Sequence, residues 1–235
     1  MSAIYKRELQ SFFYTPIGYV FIGVFLLLGG IFFIIGNLAA RSSNLLSLLS
    51  NMSYLWMLLS PVLTMKLLTG RKEGGDQALF SAPVTLTSVV LAKFFAACTV
   101  LLIAVLLSLI FPLMTALYGR LYLAETLVGY LGFVLEGCAF IALDMLVSCF
   151  AASQTVAAVA CFGVNLLFWL GDVFAQAISV PAVTSVFSFL SLYRRISPFL
   201  SGQLSLSALL YDLSFTAVML FLCIRALDGR RWSHA

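Results

Sequence analysis

Charged residues are scarce in this chain, and their scarcity decides its class. Of 235 residues only 9% are Asp, Glu, Lys or Arg, whereas 63% are hydrophobic, and the mean hydropathy is +1.10. Soluble domains contain roughly 45–50% apolar residues, so this composition predicts an integral membrane protein. With so few charges, the net charge of +4 does not indicate a nucleic-acid partner. At about 20 apolar residues per crossing, the length allows six spans and no sizeable soluble domain.

The residue types of metal and catalytic sites are equally sparse. The single histidine, His234, is the penultimate residue, and the five cysteines lie inside apolar runs without a C-x-x-C pair. This pattern predicts neither structural zinc nor a disulfide framework. The sequence has no Walker A pattern and no H-E-x-x-H, G-x-S-x-G or S-x-x-K motif. We therefore expect a chain that is not itself an enzyme, holds no cofactor and does not bind ATP alone, which leaves transport, a channel or a scaffold.

The apolar runs predict an all-α membrane protein forming one domain over residues 1–235. An amphipathic entry helix is expected over residues 1–15, with Ile4, Leu9, Phe12 and Phe13 on its apolar side and Lys6, Arg7 and Glu8 toward the other. A polar elbow over residues 70–84 separates the second and third spans, and residues 179–207 are predicted to lie on the membrane or re-enter it. The six predicted spans are Ile17 to Asn37, Tyr54 to Leu68, Phe94 to Tyr118, Leu127 to Phe150, Thr155 to Ile178 and Ala208 to Leu227. The second span can also begin earlier, because Leu45 to Leu49 is apolar.

The basic residues predict the orientation. Six spans put the N-terminus, the elbow, the turn between spans four and five, and the C-terminus on one side. That side holds nine Lys and Arg residues, namely Lys6, Arg7, Lys66, Arg71, Lys72, Lys93, Arg225, Arg230 and Arg231; the other side holds four, namely Arg41, Arg120, Arg194 and Arg195. The positive-inside rule then puts both termini and the elbow in the cytoplasm. We expect a multi-pass protein of a bacterial plasma membrane.

The elbow, GRKEGGDQALFSAPV from Gly70 to Val84, is the most polar stretch of the chain. Its glycines permit a sharp turn, and Asp76 is placed to cap a short helix that ends before Pro83. A small apolar face at Leu79 and Phe80 then favours a docking surface for another protein. The alternative is an ordinary solvated loop.

Four polar residues inside predicted spans are candidates for a pathway: Glu136, Asp144, Asn165 and Asp172. Glu136 and Asp144 are eight residues apart, so they share roughly one helical face. Since a charge at the bilayer centre costs about 2.5–3.5 kcal/mol on insertion scales, such residues usually face a cavity or a partner. One interpretation is a substrate or ion pathway, and the other is a protonated or hydrogen-bonded carboxyl. Asn165 and Asp172 fit a polar lining or an interface anchor, and Asp212 fits an interfacial position.

Three stretches resemble the membrane permease subunits of type-2 ATP-binding-cassette (ABC) transporters, in the gliding-motility and copper-maturation-like branch. Ile4 to Phe33 resembles the entry helix and first span, Ser60 to Ala97 the second span, coupling helix and start of the third, and Ile196 to Trp232 the last external segment and span. Family members usually carry E-x-G-T-x-E-L-L in the coupling region. Here Glu73 and Gly74 fit that motif and the next four residues depart from it.

The resemblance implies a permease that works with partners. It implies a separate cytoplasmic ABC ATPase that holds the ATP and Mg²⁺, a second permease copy as homodimer or related heterodimer, and membrane lipid around both. The elbow would be the coupling helix, with an ATPase-docking surface at Arg71, Lys72, Glu73, Gly74, Asp76, Leu79 and Phe80. The expected function is export driven by ATP hydrolysis on the partner. The alternative is an ATPase-independent scaffold or channel.

Overall fold

A computed structural model describes residues 1–69, 85–177 and 192–232, and within these ranges every regular element is a helix. Six helical segments are long and apolar enough to cross a membrane, which confirms the predicted number. We call them spans 1 to 6: Pro16–Ala39, Leu45–Leu68, Leu86–Tyr118, Leu123–Phe150, Gln154–Gly171 and Leu206–Gly229. The helices of spans 2, 5 and 6 extend to Thr69, Ala177 and Trp232. A short helix, Leu192–Leu200, precedes span 6.

Several spans begin earlier than the hydropathy pattern predicts. Span 2 starts at Leu45, the earlier of its two predicted starts, and Pro61 lies inside its helix without ending it. Span 3 starts at Leu86, so Lys93 lies one helical turn or more inside the helix rather than in front of it. Span 3 is also two helices, Leu86–Ser108 and Ile110–Tyr118, that meet at Leu109. Polar residues therefore enter the helices wherever a neighbouring helix shelters them.

The N-terminal helix, Ser2–Tyr14, meets span 1 at a tight junction. Thr15 is extended (φ −92°, ψ 148°) and Pro16 occupies the first turn of the next helix, where its missing N–H costs nothing. A Cβ atom at Gly18 would lie 2.6 Å from the Phe12 carbonyl oxygen. Only glycine fits there, so the sequence Pro16–Gly18 fixes the approach of the two helices.

Span 4 is the central helix of the bundle. Two-thirds of its most apolar 18-residue stretch is buried, whereas 28% of the corresponding stretch is buried in spans 1 and 6. It contacts spans 2, 3, 5 and 6 and the short helix. Its Gly132 admits the Phe199 ring, since a Cβ there would lie 2.5 Å from Phe199 Cβ. In a bilayer, packing and polar contacts rather than water exclusion hold helices together, so this central helix also positions the polar interior.

An aromatic cluster fills the space between spans 1, 2 and 4. Trp56 is fully buried, and its ring centroid lies 5.5 Å from that of Phe21, 6.1 Å from Phe25 and 6.2 Å from Phe133, each in an edge-to-face arrangement. Such pairs contribute about 0.5–1.5 kcal/mol each beyond their buried area. The cluster therefore fixes how span 1 lies on the other two.

None of the five cysteines, all of which the structure describes, forms a disulfide. Four of them nevertheless meet in two pairs that the sequence did not indicate. Cys98 and Cys138 join spans 3 and 4 with their sulfurs 3.6 Å apart, and Cys149 and Cys223 join spans 4 and 6 at 3.1 Å.

Candidate functional site: a polar interior between spans 2, 4 and 5

Two serine–carboxyl pairs connect spans 2 and 4. Ser53 Oγ donates to Glu136 Oε2 at 2.5 Å, and Ser60 Oγ donates to Asp144 Oδ2 at 2.7 Å. Residue numbers rise together in the two pairs, so the two helices run in the same direction. A spacing of seven on one helix matches eight on the other, and the two carboxyls lie about 12 Å apart along span 4. The predicted shared face of Glu136 and Asp144 is thus turned toward span 2.

The Asp144 cluster comprises Ser60, Thr64, Asp144 and Asn165. All four side chains are 0% exposed. Asn165 brings span 5 into the cluster, because its Nδ2 donates to Ser60 Oγ at 3.2 Å. Asn165 and Thr64 also lie close to the Asp144 carboxyl. The structure therefore brings together two of the four polar residues predicted from the sequence and joins three spans through them.

Pro61 explains why Asn165 is needed at this place. Proline has no N–H, so the Met57 carbonyl, four residues earlier, lacks its regular helical donor. Asn165 Nδ2 donates to that Met57 carbonyl oxygen at 3.2 Å. A carbonyl without a donor is costly in an apolar interior, and here a side chain from another span supplies the donor.

Two acceptor atoms of the Asp144 cluster have no partner in the part of the chain that the structure describes. They are Asp144 Oδ1 and Asn165 Oδ1, both shielded from solvent. Most buried polar atoms in proteins are hydrogen-bonded, and each unsatisfied one costs about 1–3 kcal/mol. Two such atoms in one cluster indicate that a donor or a positive charge belongs there.

The Glu136 cluster, about 12 Å from Asp144 along span 4, comprises Ser53, Glu136, Asp212 and Arg195. Asp212 is 2% exposed, because span 6 packs on span 4 and covers it; its predicted interfacial depth stays a prediction. Asp212 interacts electrostatically with Glu136 and with Arg195. Arg195 comes from the short helix, and its guanidinium carbon lies 4.5 Å from the Tyr211 ring centroid. A cation of the short helix thus stands beside the acidic group.

A second polar contact ties the N-terminal helix to span 3, and we call it the N-terminal clamp. Lys93 Nζ lies 3.2 Å from Glu8 Oε1, and the two side chains are only 4% and 12% exposed. Tyr5 Oη and Thr99 Oγ1 form a hydrogen bond of 2.8 Å. Arg7 pairs with Glu8 as well, but from the exposed side of the helix. Glu8 therefore faces inward, whereas the sequence put it on the polar side of the helix.

The remaining predicted site residues lie outside the part of the chain whose side chains the structure describes. The elbow, residues 70–84, lies outside the described residues, and with it all seven predicted docking positions. Asp172 lies in the helix Gln154–Ala177, but its side chain is outside the described part. Segment 179–207 is described only from residue 192 onward. The docking and outer-segment predictions stay predictions.

Compared with known proteins, the chain matches no family model and no curated protein.

Proposed function

We propose that this chain is the permease subunit of an ABC exporter and that a separate cytoplasmic ATPase drives it. The observation that carries the proposal is the resemblance of three stretches, in the right order, to type-2 permeases: Ile4 to Phe33, Ser60 to Ala97 and Ile196 to Trp232. Six helices of membrane-spanning length are consistent with it. The N-terminal clamp supports it further, because it ties the entry helix to the helix that directly follows the elbow.

The coupling that we propose runs from the elbow into span 3. When ATP closes the ATPase dimer, the elbow moves and displaces the start of span 3 at Leu86. The N-terminal helix moves with it, since Glu8–Lys93 and Tyr5–Thr99 hold the two together. Span 3 contacts the central span 4. The bundle then changes between two packed arrangements, and in the proposal two permease copies and the surrounding lipid form the path for the exported substrate.

Polar contacts inside the bundle also fit a two-state permease. In the described part, the Asp144 and Glu136 clusters hold spans 2, 4 and 5 together by a small number of hydrogen bonds. Hydrogen bonds between membrane helices average only about 0.6 kcal/mol. Such contacts can therefore be exchanged during a transport cycle without unfolding the protein.

Co-purification with a matched pair of variants tests the proposal. The protein is extracted from its native membrane in mild detergent, and bound proteins are identified. Wild-type protein should carry a cytoplasmic ATPase in stoichiometric amount, and Leu79→Asp in the elbow should lose it. Leu204→Asp is the control: Leu204 is 57% exposed in the connection before span 6, on the predicted opposite side of the membrane, and should keep the ATPase. An intact homo-oligomer without any ATPase would favour the scaffold or channel alternative.

A further inference from the structure

The hydrogen atoms of the Asp144 cluster can be counted one by one. The Ser60 hydroxyl proton is used on Asp144 Oδ2. Both protons of the Asn165 amide nitrogen are used, one on the Met57 carbonyl and one on Ser60 Oγ. The Thr64 hydroxyl donates to the Ser60 carbonyl at 3.0 Å. Asp144 Oδ1 and Asn165 Oδ1 remain, both acceptors and both without a donor among the described residues.

One additional proton would satisfy both atoms at once. A carboxylic acid donates through its O–H, whereas a carboxylate only accepts. With the proton on Asp144 Oδ1, that atom becomes a donor, and the Asn165 amide oxygen of the same cluster is the acceptor left open. We infer that Asp144 is a proton-binding site, in which the acid donates to Asn165 Oδ1 at the junction of spans 2, 4 and 5.

The neutral side chains that face Asp144 from spans 2 and 5 support a bound proton. Ser60 and Thr64 face Asp144 from span 2, Asn165 and Cys161 face it from span 5, and the Cys161 thiol lies 3.3 Å from the Asp144 carbonyl oxygen. None of these side chains is a cation, and an ionised carboxylate buried without one is strongly disfavoured.

The other helices packed on span 4 bring no cation to Asp144 in the described part either. From span 6, the Cys223 thiol lies 3.9 Å from the Met145 carbonyl oxygen. From span 3, Cys98 meets Cys138, six residues before Asp144, and Lys93 pairs with Glu8 of the N-terminal helix at 3.2 Å. Arg195 of the short helix acts at Asp212. Lys66 follows Ser60 by six residues, which puts it on another face of span 2.

The site gives span 5 control over the proton. The acid keeps its acceptor only while Asn165 lies against spans 2 and 4. If span 5 moves away, Asp144 loses that acceptor and water enters, so the proton dissociates. Binding or release of one proton would therefore accompany any rearrangement that separates span 5. This inference does not depend on an ATPase partner.

Infrared spectroscopy of the purified full chain tests the site directly. Protein is grown with aspartate labelled by ¹³C at the side-chain carboxyl, which separates aspartic from glutamic acid bands. At neutral pH we expect an aspartic acid C=O band that Asp144→Asn removes and Asp212→Asn keeps. Asn165→Leu takes away the acceptor and should shift this band without abolishing it.

The outcomes separate the possibilities. An unchanged set of aspartic acid bands in Asp144→Asn would overturn the inference. If Asp144→Asn fails to fold, Asn165→Leu decides: a shifted band supports the proton, and an unshifted one overturns it. A third outcome would identify a metal cation in place of the proton. In that case the wild-type protein lacks the aspartic acid band, and its thermal stability is higher in NaCl than in choline chloride.

Discussion

Replacing Asn165 by leucine should weaken the bundle, and Pro61→Ala should partly cancel that effect. Asn165 makes two hydrogen bonds to span 2, each 3.2 Å long. One of them serves the Met57 carbonyl, which has no regular donor because residue 61 is proline. Alanine at position 61 restores an N–H for that carbonyl. The two substitutions should therefore not be additive.

The magnitude follows from bonds between membrane helices, which average about 0.6 kcal/mol and reach about 1.7 kcal/mol. Two lost bonds predict that Asn165→Leu lowers the free energy of unfolding by about 1–3 kcal/mol. In a Pro61→Ala background only the bond to Ser60 is at stake. The cost of Asn165→Leu should then be smaller by about 0.6–1.7 kcal/mol, the coupling between the two positions.

Unfolding by sodium dodecyl sulfate in mixed micelles, followed by tryptophan fluorescence and circular dichroism, measures all four proteins of this double-mutant cycle. The cycle cancels whatever Pro61→Ala does alone to the helix. Ser60→Ala in place of Pro61→Ala is a useful comparison, because it removes the other partner of Asn165 and leaves proline in place. Costs that add to within about 0.3 kcal/mol would refute the claim that Asn165 replaces the missing proline donor.

Three further predictions concern packing, the N-terminal clamp and orientation. Gly132→Ala should destabilise the protein by about 1–3 kcal/mol, because its Cβ would lie 2.5 Å from Phe199 Cβ. Gly163→Ala should not destabilise it, since among the described residues a Cβ there meets nothing within 4 Å outside its own helix backbone and chain neighbours. Equal unfolding curves for the two variants would contradict this. Glu8→Gln should speed hydrogen exchange of the N-terminal helix, as measured by mass spectrometry. Arg7→Gln, on the exposed side, should not. Slow exchange in both variants would show that the N-terminal clamp does not hold this helix in place. The orientation can be read from cysteine labelling in a cysteine-free background. A cysteine added after Ala235 should react with an impermeant maleimide only in opened cells, whereas Ser43→Cys should react in intact cells. The reverse pattern would contradict the predicted orientation.

The helices could be predicted from the sequence because membrane spans are long and uniformly apolar. Their ends could not, since polar residues at a span end extend the helix when another helix covers them. Lys93 illustrates this: hydropathy put it before span 3, but Glu8 and the N-terminal helix bury it inside the span. The position of the short helix against spans 4 and 6 is likewise decided by tertiary contacts such as that between Gly132 and Phe199.

The sequence predicts the acidic residues of the polar interior but not their partners. Acidic residues inside apolar runs stand out, so Glu136 and Asp144 were found, and their spacing gave the shared face. Ser60 does not stand out because serines are common in membrane helices, and Ser53 lies just before the predicted second span. Their spacing of seven, close to the eight between the carboxyls, was the available signal. Whether Asn165 would turn inward could not be known without the register of span 5, which depends on packing.

We propose that the chain works as half of an ATP-driven transporter. Native mass spectrometry of the detergent-extracted complex tests this proposal, because it counts the subunits. We expect two copies of the permease, or one with a related permease, together with two copies of a nucleotide-binding ATPase. Monomers or homo-oligomers that carry no nucleotide-binding protein, in preparations where the six-span fold is intact, would contradict it.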